Sequence, residues 1–137
     1  MKQKKHIISI CTPTFNSEKY LEKTIKSVIG QGYKNIQFII IDGGSTDKTI
    51  EIIKKYKNHI DYWVSEKDKG IYDAWNKGLK VAKGEFFGIL SSDDYYYDNT
   101  FSTVNNYFAK YPKINFLFGA TRMRWGVVHK YKPKKIK

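Results

Sequence analysis

Ser91-Ser92-Asp93-Asp94 follows directly on the apolar run Phe86-Phe87-Gly88-Ile89-Leu90. A buried strand ending on paired aspartates sets two anionic oxygen donors at the mouth of a sheet. Hard divalent cations such as Mg²⁺ or Mn²⁺ prefer such ligands, and they also bind diphosphates. Taken alone, the pair reads more readily as a solvated turn. A second carboxylate, Asp42, closes the run Ile36-Gln37-Phe38-Ile39-Ile40-Ile41 and can accept hydrogen bonds from a base or ribose. It also suits a turn before Gly43. Glycine cradles for phosphate are missing: no G-x-G-x-x-G follows a strand, Gly30-Gln31-Gly32 follows a helix, and no Gly-Lys-Ser/Thr loop occurs. A bound diphosphate would therefore rely on a cation at Asp93 and Asp94 for its neutralisation.

The elements that must position these residues alternate from the start. His6 to Cys11 is a short β-rich run stopped by Thr12-Pro13-Thr14. Asn16 or Ser17 can cap a helix whose apolar positions Tyr20, Leu21, Ile25, Val28 and Ile29 follow helical spacing, and Gly30 and Gly32 end it. The run 36–41 is nearly continuous, as expected of a central parallel strand covered on both faces. Ser45 or Thr46 can cap a second helix carrying Ile50, Ile53 and Tyr56, and a strand near Ile60–Val64 follows. Ile71, Ala74, Trp75, Gly78, Leu79 and Ala82 make the cleanest helical stripe in the chain, closed by Gly84. Glu85 to Leu90 is a strand, Asn99 to Tyr111 a helix, and Phe116-Leu117-Phe118 and Met123 to Tyr131 are predicted strands. This βαβαβαβ order predicts an α/β fold: a three-layer α/β/α arrangement on a mostly parallel sheet with right-handed crossovers. Ligands of such sheets bind beyond the carboxyl ends of the strands, where the loops 12–16, 42–46 and 91–94 all fall.

Composition narrows the class. The 137 residues suit one domain with a real core, and 41% hydrophobic with 16% aromatic content excludes disorder. No apolar stretch approaches the ~20 residues of a membrane span, and His6–Cys11 is too short and polar for a signal-peptide core. Cys11 is the sole cysteine, so no internal disulfide forms; it reads as a small buried hydrophobe in a reducing, cytoplasmic setting. The net charge of +12 is uneven: residues 61–98 hold 5 Lys against 8 acids, whereas 99–137 hold 9 Lys or Arg and no acid. That imbalance favours anionic partners such as a membrane surface, nucleic acid or phosphorylated ligands, although a general lysine-rich composition would also produce it.

Four segments together resemble family 2 glycosyltransferases, enzymes of the GT-A fold. They are Ile10–Asn16, Ile40–Asp47, Ser65–Gly78 and Gly84–Asp94, in order and with compatible spacing over residues 6–98. The resemblance implies a nucleotide-sugar-binding half, 6–98, followed at 99–137 by the start of an acceptor half with a basic tail, within one domain 1–137. It implies that Thr12, Pro13, Thr14 and Asn16 line the nucleotide pocket and that Asp42 contacts the base. Ser92, Asp93 and Asp94 form the ribose and metal site, with Asp94 ahead of Asp93 as the direct Mn²⁺ or Mg²⁺ ligand. Asp68, Lys69, Asp73 and Asn76 border the same pocket, and Lys69 can face the diphosphate. Asp73 and Asn76 equally suit a solvated helix face.

The implied reaction is inverting sugar transfer from a nucleotide-diphosphate sugar, a UDP-sugar favoured, in cell-surface polysaccharide or lipopolysaccharide synthesis. The implied general base lies well downstream of the aspartate pair. Here no Asp or Glu follows Asp98, and His129, on a strand-like segment, reads as a packing residue. The expectation is a truncated family member, with a catalytically inactive nucleotide-binding module as the alternative. Self-association through uncovered apolar surface is expected, as is peripheral docking of the basic tail on the anionic inner membrane face. The tail carries no groove-reading or stacking motif, so no specific nucleic-acid partner is expected.

Overall fold

The computed structural model describes residues 5–117, 119, 121–122 and 128–129. The chain runs β1 (Ile8–Thr14), α1 (Leu21–Ile29), β2 (Ile36–Asp42), α2 (Thr49–Lys55), a 3-10 turn (Lys57–His59), β3 (Tyr62–Ser65), α3 (Ile71–Val81), β4 (Phe86–Ile89) and α4 (Thr100–Lys110). Two short strands, β5 (Thr121–Arg122) and β6 (Val128–His129), pair antiparallel on their own. The main sheet has the order β3-β2-β1-β4 with every pairing parallel. β1 and β2 are therefore central, which explains why both read as apolar runs.

Successive residues of β2 enter opposite cores. Phe38 and Ile40 join Leu21, Ile25 and Val28 of α1, Ile53 of α2 and Phe101 of α4. Ile39 and Ile41 face the other way, toward Cys11 and Ala74 of α3. All four β2 residues are at most 2% exposed. At about 25 cal/mol per Å² of apolar surface, two-sided burial makes β2, with the wholly buried β1 beside it, an anchor of the sheet. Glu22 ties α1 to α2: Lys55 Nζ and Tyr56 Oη each donate to its Oε1 at 2.7 Å, and these bonds hold its carboxyl down at about 2.

Several expectations are corrected. α1 begins at Leu21 with Tyr20 at the cap position and no side-chain cap, so neither Asn16 nor Ser17 caps it. Those residues instead bind the next loop, as described below. α2 begins at Thr49, beyond Ser45 and Thr46; Asp47 Oδ1 accepts the Thr49 N–H at 2.9 Å. Of the six-residue α3 stripe, only Ala74 and Gly78 are fully buried, while Ile71 and Leu79 are 47% and 51% exposed. The cause is close approach: a Cβ on Gly78 would strike Cys11 Sγ, so the helix sits on its two small residues and holds the flanking large ones outside. Burial pushes the Cys11 thiol up to about 12, as befits an inert packing residue.

Phe116 and Leu117 are not in a strand. Of the segment predicted as a strand over 123–131, only Val128–His129 is described; the basic residues 132–137 lie outside the described residues. No helix among the described residues is long and apolar enough to cross a membrane.

Candidate functional site

In-register parallel pairing brings the ends of β1 and β2 together, Thr14 opposite Asp42, and β4 ends beside β1, where the Leu90 N–H donates to Cys11 O at 2.9 Å. The three polar loops therefore meet at one sheet edge. They are laced to one another: Asn16 N–H donates to Ser45 Oγ at 2.8 Å, and Thr46 N–H donates to Asn16 Oδ1 at 2.9 Å. Asn16 does this from a left-handed backbone with φ 46°. Ser17 N–H donates to Thr49 Oγ1 at 2.8 Å, and the Ser17 and Ser92 hydroxyls bond at 2.7 Å.

Asp42 is completely buried. Its Oδ2 accepts the Gly44 and Ser45 N–H groups at 3.0 and 2.9 Å and the Ser65 hydroxyl at 2.6 Å. Its Oδ1 accepts the Ser45 hydroxyl at 2.5 Å. Gly44, at φ 87°, gives the backbone turn that aims these N–H groups inward. The carboxylate expected to meet a nucleobase thus accepts four hydrogen bonds from its own loop and from Ser65, and these bonds shape the loop.

Asp93 and Asp94 are built differently. Both are exposed, on a turn closed by Asp94 N–H to Ser91 O at 3.1 Å. No Lys, Arg or His among the described residues pairs with either carboxylate. Partial burial and then the neighbouring Asp93 charge raise the Asp94 carboxyl above its ordinary value. Two like-charged oxygen donors one residue apart, with no cationic side chain of the described residues against them, suit a hard divalent cation. Among the described residues no cluster of three or more metal-binding side chains exists. The pair therefore fits a cation whose remaining ligands are phosphate oxygens and water, the usual state of Mg²⁺.

An open cleft of about 690 Å³ occupies this edge. Pro13, Thr14, Asn16, Ser92 and Asp93 line it, together with Asp68 of the β3–α3 loop. Thr12 is wholly buried behind it and, like Thr14, has a buried hydroxyl with no hydrogen-bond partner. Lys69, Asp73, Asn76 and Asp94 stand outside the lining. Asp73 Oδ2 accepts the Lys69 N–H at 3.1 Å and lies 3.5 Å from Lys77 Nζ. The backbone bond first, and Lys77 beside it, hold its carboxyl below the usual range. Asp73 therefore braces the start of α3, in the manner of the back-bonding acid of a capping box.

Sequence reasoning missed Phe15, Lys19 and Tyr20, which also line the cleft. Phe15 is 61% exposed. An aromatic within the polar stretch 12–19 was the available signal for it. Lys19 and Tyr20 carry no such mark, because a helix start needs polar residues regardless.

The match to the model of glycosyl transferase family 2 extends over residues 9–136. An uncharacterized glycosyltransferase of Rickettsia typhi is 42% identical over 93 residues, covering 68% of this chain and 29% of that protein. The Methanococcus voltae dolichyl N-acetyl-alpha-D-glucosaminyl phosphate 3-beta-D-2,3-diacetamido-2,3-dideoxy-beta-D-glucuronosyltransferase is 42% identical over 97 residues, covering 66% of this chain and 30% of that protein. Among solved structures, the 1-349 portion of S. aureus TarS in complex with UDP-GlcNAc superposes with a TM-score of 0.71 at 29% identity, over 77% of this chain and 32% of that one. The chain thus spans under a third of the length of these proteins. Its parallel sheet flanked by helices is part of the GT-A fold. With the family model matched over nearly its whole length, the chain belongs to glycosyl transferase family 2.

Proposed function

We propose that this chain binds the donor of a sugar-transfer reaction, a nucleotide-diphosphate sugar and by preference a UDP-sugar, in the cleft at the carboxyl edge of its sheet. The observation that carries this reading is the pair Asp93 and Asp94, held on a laced turn beside the cleft with no cationic side chain of the described residues against it. Asp94, and Asp93 with it, would hold Mn²⁺ or Mg²⁺. When bound, such a cation supplies stabilisation of the negative charge that develops on the leaving diphosphate. Pro13, Thr14 and Asn16 form the opposite wall, against which the nucleotide would lie. Asp42 keeps the 42–46 loop in shape behind that wall. Lys69, Asp73 and Asn76 belong to the rim of the site.

The same proposal divides residues 1–137, as one domain, into a donor half over 6–98 and the start of an acceptor half with a basic tail. The transfer would be inverting and serve cell-surface polysaccharide or lipopolysaccharide synthesis, with the basic residues docked on an anionic membrane surface. The base that must deprotonate the acceptor is not among Asp or Glu after residue 98, where none occurs. The alternative reading is a catalytically inactive nucleotide-binding module that acts by association with another chain.

Calorimetry of UDP with and without Mn²⁺, on the wild-type chain and Asp94→Ala, tests the proposal. Mn²⁺-dependent binding that Asp94→Ala abolishes is expected; equal binding by the variant would remove Asp94 from the site. A transfer assay with a panel of UDP-sugars separates the two readings, since binding without turnover supports the module.

A further inference from the structure

Three polar residues of α1 and its C-terminal turn, Thr24, Ser27 and Gln31, recur one per turn on the side that faces the segment after β4. Each grips the backbone of that segment in order. The Thr24 hydroxyl lies 2.9 Å from Ser92 O and 2.6 Å from Asp94 O. Ser27 Oγ accepts the Tyr96 N–H at 3.1 Å. Gln31 Nε2 donates to Tyr97 O at 2.8 Å, and its Oε1 accepts the Phe101 N–H at 3.3 Å. Thr24 is 1% and Gln31 6% exposed, so these bonds form away from water, where leaving either partner unmade is costly.

A threonine inside a helix ordinarily turns its hydroxyl back to a carbonyl three or four residues earlier. Thr24 instead spends its one proton on two carbonyls that flank Asp93. The turn is also held from the loop side by the Ser17–Ser92 hydroxyl bond.

We infer that Thr24, heading this polar stripe of α1 and assisted by Ser17, is a positioning residue that fixes the Asp93–Asp94 turn in the orientation needed to hold a cation at the cleft. The inference rests on the proposed reading of the pair as a cation site. Thr24 touches no carboxylate and acts only through the backbone it anchors. Outer partners that orient metal ligands commonly contribute tenfold or more to metal affinity.

The test measures Mn²⁺ affinity by electron paramagnetic resonance in the presence of UDP, alongside thermal unfolding, on the full chain. Thr24→Val is expected to weaken Mn²⁺ binding about tenfold, and Thr24→Ser, which restores the hydroxyl, to recover most of it. Gln31→Leu, at the far end of the stripe, should lower the unfolding temperature at least as much while leaving Mn²⁺ affinity within about twofold. Folded Thr24→Val with wild-type affinity overturns the inference, as does affinity that falls in step with unfolding temperature across all the variants. Should Thr24→Val not fold, Ser17→Ala carries the test: severalfold weaker Mn²⁺ binding supports the clamp, and unchanged binding overturns it. Wild-type chain that binds no Mn²⁺ with UDP overturns the underlying site reading instead, and is distinguished by that arm alone.

Discussion

Asp42 and Asp94 both stand just past the core of a strand at the carboxyl edge of one sheet, in loops that touch a common partner loop at residues 14–17. Asp42 is enclosed by four hydrogen bonds from Gly44, Ser45 and Ser65. Asp94 accepts none from the described residues, and its carboxyl is raised by burial and by Asp93. The difference lies in what surrounds each charge. A buried carboxylate must be saturated by donors or it would not ionise there. An exposed pair of carboxylates need not be, and its unmet charge is what a cation or a cation-bound diphosphate can use. On the proposed reading one loop is frame and the other is site, although both look like short polar turns in the sequence.

The largest expected effect breaks the comparison on its functional side. Asp94→Ala should remove Mn²⁺-dependent UDP binding and change folding stability by less than about 0.5 kcal/mol, because an exposed carboxylate without partners is replaced. Asp42→Ala should do the reverse: a loss of about 3 kcal/mol in urea unfolding, since it removes the buried acceptor of four partly buried hydrogen bonds. Equal stability loss in the two variants would erase the distinction. A finer cut is Ser65→Ala, which removes one donor from Asp42 and should cost about 1.5 kcal/mol with nucleotide affinity little altered.

Acid titration sharpens the contrast further. Asp94 has a folded-state pKa raised above its ordinary 3.8, so as pH falls it protonates early, which favours the fold slightly and competes directly with Mn²⁺. Asp47 and Asp73 have lowered values; the stability they contribute is present above 3.8 and is lost only as pH falls through their lower folded values. Mn²⁺ affinity should therefore decline at higher pH than the onset of acid unfolding, measured by calorimetry and circular dichroism on one pH series. Coincident profiles would mean that the pair is not the cation site. The smallest effect is Asp73→Asn, expected to lower the unfolding temperature slightly by weakening the brace on Lys69 N–H while leaving UDP affinity unchanged. A marked loss of affinity would move Asp73 from the frame into the site.

Much of the fold was legible because its signals are local. The run 36–41 could only be a strand buried on both faces, and Gly30 and Gly84 stand where α1 and the stretch before β4 had to end. The caps were misread for one shared reason. Asn16, Ser17 and Ser45 have the side chains of helix caps, but they bind across loops some thirty residues apart in sequence, a partnership that periodicity cannot register. The α3 stripe is a helix, as its spacing predicts. Its spacing is helical, yet which of its residues are buried depends on how near the helix can come to Cys11, and Gly78 decides that. Thr24 was invisible among the apolar positions of α1 because its partners, the carbonyls of Ser92 and Asp94, arrive from β4.

Sequence by itself determined the alternating α/β order, the carboxyl-edge placement of three polar loops and, through four ordered motifs, the family. Those properties follow from short-range pattern: strand period, helix period, turn residues and spacing. Tertiary structure alone decided which aspartate is saturated and which is open, that Asp42 supports a loop, and that a helix hydroxyl holds the Asp93–Asp94 turn. The physical reason is that a charge or hydroxyl takes its role from the donors and acceptors folding brings around it, and at this site they come from the far sides of three different strands.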